Sequence, residues 1–188
     1  MNWLILIKHS LPVVDANKPA AQWVLSEAGR QRCGPLAQRV AVYTPHRVIS
    51  SREPKASETG RLVAEQLNVP WGTAGNLHEH ERPQPGLLSQ PDFHRQIAEF
   101  FRRPDELVFG AETARQAQRR FCRALDGLLA EHQEQNLAVV AHGTVISLCV
   151  AHATGAGAFP LWQKLGLPSL VALSLPDFRL EKVIEDVQ

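Results

Sequence analysis

The chain has 188 residues, a length typical of one well-buried domain. Its formal net charge is +1, because 20 Lys and Arg stand against 19 Asp and Glu. This balance argues against a nucleic-acid surface and against a polybasic membrane patch. We therefore expect a single domain over residues 1–188 that binds a small molecule, with neither nucleic acid nor membrane as a partner; the sequence does not indicate an oligomeric state.

The predicted elements alternate between apolar strands and amphipathic helices. In chain order they are a strand at 3–7, a loop over 11–25, a helix capped by Ser26, a strand at 47–51, a helix that ends at Asn68-Val69-Pro70, a short helix around 93–101, a helix from about 112 to 132, a strand at 137–141, a helix capped by Thr144, and late strands at 170–175 and 179–184. This alternation predicts an α/β fold, with a largely parallel central sheet flanked by helices on both faces. The segment 71–104, rich in Pro, Gly, His and Gln, is expected to form a lid.

The cysteines and the first strand indicate the cellular compartment in which the protein is found. Cys33, Cys122 and Cys149 are odd in number and include no CxxC pair, so we expect reduced thiols. The apolar run 3–7 is too short for a signal peptide or a membrane span. We therefore expect a cytoplasmic protein.

Two histidines each follow a buried strand. His9 comes after the run 3–7, and His142 comes after the run 137–141. Open parallel sheets bind ligands at the carboxyl ends of their strands. Lys8 lies at the first of these ends, and Lys55 follows a third strand at 47–51. We expect this sheet edge to gather two imidazoles and two ammonium groups into an anion pocket that contains a nucleophile.

Five short motifs resemble, in the same order along the chain, those of the histidine phosphatase superfamily, also called the phosphoglycerate mutase-like family. They are Lys8-His9-Ser10 in place of Arg-His-Gly, Ser51-Arg52-Glu53-Pro54-Lys55-Ala56-Ser57-Glu58-Thr59-Gly60, Leu77-His78-Glu79, Ala111-Glu112-Thr113 and His142-Gly143. The resemblance implies that family's fold. It also implies a phosphatase that hydrolyses phosphomonoesters through a phosphohistidine, with no metal and no organic cofactor.

The resemblance assigns a role to each pocket residue. It implies that His9 is the nucleophile, that Glu79 protonates the leaving oxygen and that His142 is the partner of His9. Lys8, Ser10, Lys55 and His142 would bind phosphate. The two lysines stand where the family has arginines, so they keep the charge but lose the planar fork that binds two phosphate oxygens at once. Ser10 stands where the family has glycine.

Two assignments have competitors close by in the sequence. Arg52 competes with Lys55 as the second cation, and Glu81 competes with Glu79 as the acid. We prefer Glu79 because of the Leu-x-Glu spacing, and we expect burial to raise its pKa so that it can donate a proton. His78 and His80 alone would make a weak zinc site, because two ligands are too few.

Two other functions compete with the phosphatase. The first is a catalytically weak family member that binds a phosphorylated ligand or a phosphoprotein without turnover, which the lysines and Ser10 keep open. The second is a mutase-type phosphotransferase, which the short chain disfavours because mutases carry additional substrate-clasping insertions. A phosphatase acting on a small phosphorylated molecule is therefore the function that the sequence favours.

Overall fold

The computed structural model describes residues 2–82 and 88–188. Its strands are β1 Asn2–Lys8, β2 Arg47–Ser51, β3 Trp71–Ala74, β4 Leu137–Ala141, β5 Ser169–Leu175 and β6 Arg179–Ile184. Its helices are α1 Glu27–Gln31, α2 Cys33–Ala41, α3 Pro54–Leu67, α4 Gln90–Arg102, α5 Ala114–Glu131, α6 Gly143–Thr154 and α7 Ala158–Lys164, with a short 3₁₀ helix at Ala20–Gln22. No helix in these two ranges is both long and apolar enough to cross a membrane.

The six strands form one sheet in the order β3-β2-β4-β1-β5-β6. Neighbours among β3, β2, β4 and β1 are parallel, β5 runs antiparallel to β1, and β6 runs antiparallel to β5. The prediction of a largely parallel sheet is confirmed. Because β2, β4 and β1 are adjacent and parallel, their carboxyl ends meet at one edge of the sheet.

Both faces of the sheet are covered by helices. Side chains of a strand alternate between its two faces. Leu4 and Leu6 of β1 therefore pack into a core with side chains from α4, α5, α6 and α7, while Ile5 and Ile7 pack into a second core with α2 and α3. The predicted helices on both faces are confirmed.

The helix predicted after Ser26 is two helices in the structure. The Ser26 hydroxyl caps α1 as expected, accepting a hydrogen bond from the Gly29 amide at 3.0 Å. The chain then breaks between α1 and α2. A proline ring clashes with the carbonyl of the residue four positions earlier in a helix. For Pro35 that residue is Gln31, the last residue of α1, so one continuous regular helix cannot form here. The proline is tolerated in the first turn of α2, where its missing N–H has no intrahelical partner to lose.

Two short elements, β3 and α7, have no counterpart in the sequence prediction. β3 is a four-residue edge strand that, among the described residues, pairs only with β2. It has no apolar run, so it carries no strand periodicity. β3 and α4 occupy parts of the predicted lid at 71–104, and residues 83–87 of that segment lie outside the described residues. The late strands and the helix ending at Leu67 form close to where they are predicted, and Asn68 ends that helix in a left-handed conformation.

Candidate active site

The sheet edge brings most of the predicted residues into one cluster, called the strand-end pocket below. Its members are Lys8, His9, Glu53, Lys55, Glu79 and His142. The rings of His9 and His142 lie edge to face, with centroids 5.2 Å apart. The two histidines thus meet as expected from the adjacent ends of β1 and β4.

The hydrogen bonding of His9 defines which ring nitrogen is free. Its Nδ1 lies 2.7 Å from the carbonyl oxygen of Ser10. A carbonyl only accepts, so Nδ1 carries the proton and Nε2 keeps its lone pair. Burial, His142 and Lys55 together lower the pKa of His9 well below its ordinary value. The imidazole is therefore neutral at physiological pH, with Nε2 available as a nucleophile.

Ser10 uses its polar groups to hold the loop rather than to face the pocket. Its amide donates to Thr59 Oγ1 at 3.1 Å, and its hydroxyl donates to the Gly29 carbonyl at 2.7 Å. α1 passes very close here, since a Cβ on Gly29 would lie 2.1 Å from the carbonyl oxygen of Leu11. Ser10 therefore ties the loop of His9 to α1 and α3.

Lys55 is buried and already engaged by protein atoms. Its ammonium donates to the Ala20 carbonyl at 2.7 Å and forms an ion pair with Glu53. The Glu53 Oε1 atom also accepts the Glu79 amide at 2.9 Å and lies 3.5 Å from His142 Nε2. Sequence reasoning gave Glu53 no role, although it lies only two residues before Lys55.

Arg52 differs from Lys55 in its exposure to solvent. It is exposed, and its Cζ lies 4.0 Å from the place that a Cβ on Gly75 would take. Lys55, by contrast, acts on the pKa of both His9 and His142. The geometry therefore favours Lys55 as the cation of the pocket.

Lys8 is half-buried beside the first turn of α6. Its Nζ donates to the Leu165 carbonyl at 2.6 Å. Burial lowers its pKa to about 8, against the opposing charges of Glu79 and Asp186. The glycine after His142 makes room for this side chain, because a Cβ on Gly143 would lie 3.2 Å from Lys8 Cε.

We expect the Lys8 ammonium to bind an anion while it is charged and to lose this contact when it is deprotonated at alkaline pH. The group is charged below its pKa of about 8 and becomes neutral as the pH rises through that value. We expect Lys8→Met to weaken binding of inorganic phosphate well below pH 8 and to have little further effect well above it. Calorimetric titration of both proteins with phosphate measures this difference, and a loss that does not vary with pH contradicts the assignment.

Glu79 is held as a carboxylate. Its Oε1 accepts the His80 amide at 2.8 Å, and its Oε2 accepts the Thr144 amide at 3.2 Å. Burial raises its pKa, but His142, Arg82 and these two amides outweigh burial and leave the pKa below its ordinary value. The expectation of a raised pKa is wrong. The prediction of Thr144 as helix cap is also wrong, because α6 begins at Gly143 and the Thr144 amide is bound by this carboxylate.

Glu81, the competing acid, forms no hydrogen bond or ion pair with His9 or His142 among the described residues. Its half-exposed carboxylate lies 3.3 Å from His78 Nε2. His80 is instead buried, with its ring centroid 4.0 Å from that of Phe100. Over residues 2–82 and 88–188, no three His, Cys, Asp or Glu side chains are grouped so that they could hold a metal ion.

A buried ion pair fixes the segment that carries Glu79. Arg120 of α5 binds the Glu112 carboxylate through two nitrogens, at 2.6 and 3.2 Å. The same guanidinium donates to the carbonyls of Asn76, His78 and Glu79 at 3.0, 2.9 and 3.2 Å. From the sequence, Glu112 is named only within the Ala111-Glu112-Thr113 motif, without a role, and Arg120 is not named.

Arg120→Ala should destabilise the protein and misplace Glu79. Removing one partner of a buried pair leaves Glu112 uncompensated, so we expect the free energy of unfolding to fall by about 3 kcal/mol. Urea denaturation measures this loss. Arg119→Ala is the matched control, because Arg119 is exposed and its loss should cost less than about 0.5 kcal/mol. Equal stabilities of the two variants would contradict the role given to Arg120.

Arg82 is a further cation that sequence reasoning missed. Its guanidinium lies 5.1 Å from the ring centroid of Phe93 and 5.7 Å from that of Phe109. It lowers the pKa of both Glu79 and His142, so its charge acts on the pocket. Arg82 lies three residues after the end of the Leu-x-Glu motif, and nothing in that motif pointed to a role for it.

Comparison with solved structures finds the same fold in several proteins, two of which are named as phosphatases. Bacillus stearothermophilus YhfR superposes with a TM-score of 0.78 at 18% identity, covering 100% of this chain and 98% of that one. A mycobacterial glucosyl-3-phosphoglycerate phosphatase, in complex with inorganic phosphate, gives 0.77 at 18% identity, with 97% and 96% covered. The α-ribazole phosphatase from Shigella flexneri gives 0.71 at 21% identity, with 98% and 96% covered.

Sequence comparison identifies the family directly. No curated protein sequence matches the chain significantly. Residues 17–182, however, match the family described as the histidine phosphatase superfamily (branch 1). This match begins after His9 and includes Lys55, Glu79 and His142. It spans most of the chain, and the chain therefore belongs to the histidine phosphatase superfamily.

Proposed function

We propose that the protein is a phosphomonoesterase that hydrolyses a small phosphorylated molecule through a phosphohistidine on His9. The observation that carries this proposal is the state of His9, which is neutral, holds its proton on Nδ1 and keeps the Nε2 lone pair beside Lys55 and His142. His142 Nδ1 is buried without a hydrogen-bond partner among the described residues. Such a group is unusual in a folded protein and is expected where a ligand completes the set.

In the first half-reaction, His9 Nε2 attacks phosphorus and forms the N–P bond while the P–O bond to the leaving group breaks. Lys8, Lys55 and His142 stabilise the charge on the equatorial oxygens. Glu79 gives a proton to the leaving oxygen, which departs as an alcohol. The arriving phosphoryl group brings negative charge close to the Glu79 carboxylate and so raises its pKa, and Glu79 takes up a proton from water before it donates one to the leaving oxygen.

In the second half-reaction, water attacks phosphorus while Glu79 takes the water proton back. The N–P bond breaks, inorganic phosphate leaves, and His9 regains its lone pair. One carboxyl group thus serves both steps. Residues of the chain perform every step, so the scheme requires neither a metal nor an organic cofactor.

The direct test is hydrolysis of a chromogenic aryl phosphate without added metal and in the presence of a chelator. Release of the phenol supports the proposal, and a panel of phosphorylated metabolites then ranks substrates. The solved phosphatases named above carry small phosphorylated substrates in their names, which favours a small molecule over a phosphoprotein. We also propose a cytoplasmic location, where Cys33, Cys122 and Cys149 would remain the free thiols that the structure shows.

The second cation can be assigned by comparing two alanine variants. Lys55→Ala should abolish binding of inorganic phosphate and turnover, because it removes a buried ammonium beside both histidines. Arg52→Ala should change both by less than about threefold, because Arg52 is exposed. Calorimetry and steady-state kinetics on both variants measure this. The reverse pattern would assign the role to Arg52.

A catalytically weak binding protein is the second candidate. It is favoured by one observation: both lysines already donate to protein oxygens, Lys8 to Leu165 and Lys55 to Ala20 and Glu53. Such a protein binds inorganic phosphate or a phosphorylated ligand but releases no phenol from an aryl phosphate. A mutase-type phosphotransferase would instead pass the phosphoryl group to an added alcohol, which product analysis detects.

A further inference from the structure

The strand-end pocket contains a carboxylate among the groups proposed to bind phosphate. Glu53 is buried, with 9% of its surface exposed. One of its oxygens is paired with the Lys55 ammonium, and the other accepts the Glu79 amide at 2.9 Å and lies 3.5 Å from His142 Nε2. An anion that reaches Lys55 and His142 therefore also meets Glu53.

Two anionic oxygens repel each other unless a proton lies between them. An ionised carboxylate accepts hydrogen bonds only, so it can bind an oxyanion that carries an O–H and cannot bind one that carries none. We propose that Glu53 determines the specificity of the phosphoryl subsite by accepting a hydrogen bond from a protonated phosphoryl oxygen and rejecting oxyanions without a proton. This inference rests on the proposed function only in placing the phosphoryl group in this pocket.

The proposal has a consequence for the substrate. A phosphate monoester has one proton on its phosphoryl oxygens below its second pKa of about 6 and none above it. The protein should therefore bind monoesters as monoanions, with affinity that falls as the pH rises through about 6. The charged and titratable groups that face Glu53 or share the pocket with it are Lys8 of β1, His9 after β1, Lys55 of α3, Glu79 after β3 and His142 after β4, and the charges of His78 and Arg82, also after β3, act on His142. His9 and His142 stay neutral in this range, and Lys8 stays charged until about pH 8.

The test compares inorganic phosphate with sulfate by calorimetric titration near neutral pH, without turnover. The two ions are alike in size and shape, but inorganic phosphate carries a proton there and sulfate carries none. We expect the wild-type protein to bind phosphate at least about tenfold more tightly than sulfate, as suits a charge-assisted hydrogen bond. Glu53→Gln replaces the carboxylate by an amide that can donate, so it should gain sulfate affinity and bring the ratio close to one.

Glu58→Gln is the matched control. It makes the same chemical change on α3, where Glu58 pairs with Arg30 away from the pocket, and it should keep the wild-type ratio. Equal wild-type affinity for the two ions overturns the inference even if Glu53→Gln does not fold. A preference for phosphate that survives in a folded Glu53→Gln protein overturns it as well. Selective phosphate binding without hydrolysis of an aryl phosphate would leave the inference standing and overturn the proposed function instead.

Discussion

His9→Ala is expected to reduce phosphatase turnover on the order of 10⁴-fold or more, because it removes the attacking nitrogen. The Ser10 carbonyl holds Nδ1 of His9 and leaves Nε2 as the proposed nucleophile. In the described part of the pocket, no other neutral imidazole is held by a carbonyl in this way. Steady-state kinetics with an aryl phosphate measures the loss, and circular dichroism confirms that the variant is folded. A variant that keeps most of the wild-type rate would rule out the covalent mechanism.

The same experiment has a control and a direct readout of the intermediate. His152→Ala alters an exposed histidine on α6 and should leave the rate unchanged. Brief incubation with substrate followed by an acid-free quench should leave phosphate on His9, detected by mass spectrometry of peptides. Phosphate on Ser10 or Cys33 would identify a different nucleophile.

Glu79→Gln is expected to damage the hydrolysis of alkyl phosphates by about 10²- to 10⁴-fold while sparing aryl phosphates that have good leaving groups. An alkoxide is a poor leaving group and needs the proton, whereas a nitrophenolate departs without it. The ratio of kcat/KM for the two substrates measures the effect, and the aryl substrate serves as an internal reference for structural damage.

Glu81→Gln is the control for the acid. Glu81 is half-exposed and lies near His78, so both substrates should react at wild-type rates. Equal losses on both substrates in Glu79→Gln would assign that carboxylate to binding or structure. A leaving-group effect confined to Glu81→Gln would give Glu81 the role of acid.

The two predictions differ in how much of their basis was visible in the sequence. His9 and His142 follow uninterrupted apolar runs, and the alternation of strands and helices places the ends of such runs at one edge of a parallel sheet. The charge state of Glu79 could not be predicted in the same way. It depends on the Thr144 amide, 65 residues away, and on the nearby side chains of His142 and Arg82, so only the folded chain shows that its pKa is lowered.

The sequence by itself determined the α/β class, the sheet edge that carries the pocket and the family resemblance, because hydrophobic periodicity and motif order are local properties of the chain. Only the tertiary structure showed the contacts that Glu53 and Arg120 make. Glu53 meets the Glu79 amide across 26 residues, and Arg120 meets the Glu79 carbonyl across 41. The sequence does not show whether a carboxylate or a guanidinium faces water or a buried partner. The electrostatic effect of such a group depends on its burial and on its distances to other groups, which only folding creates.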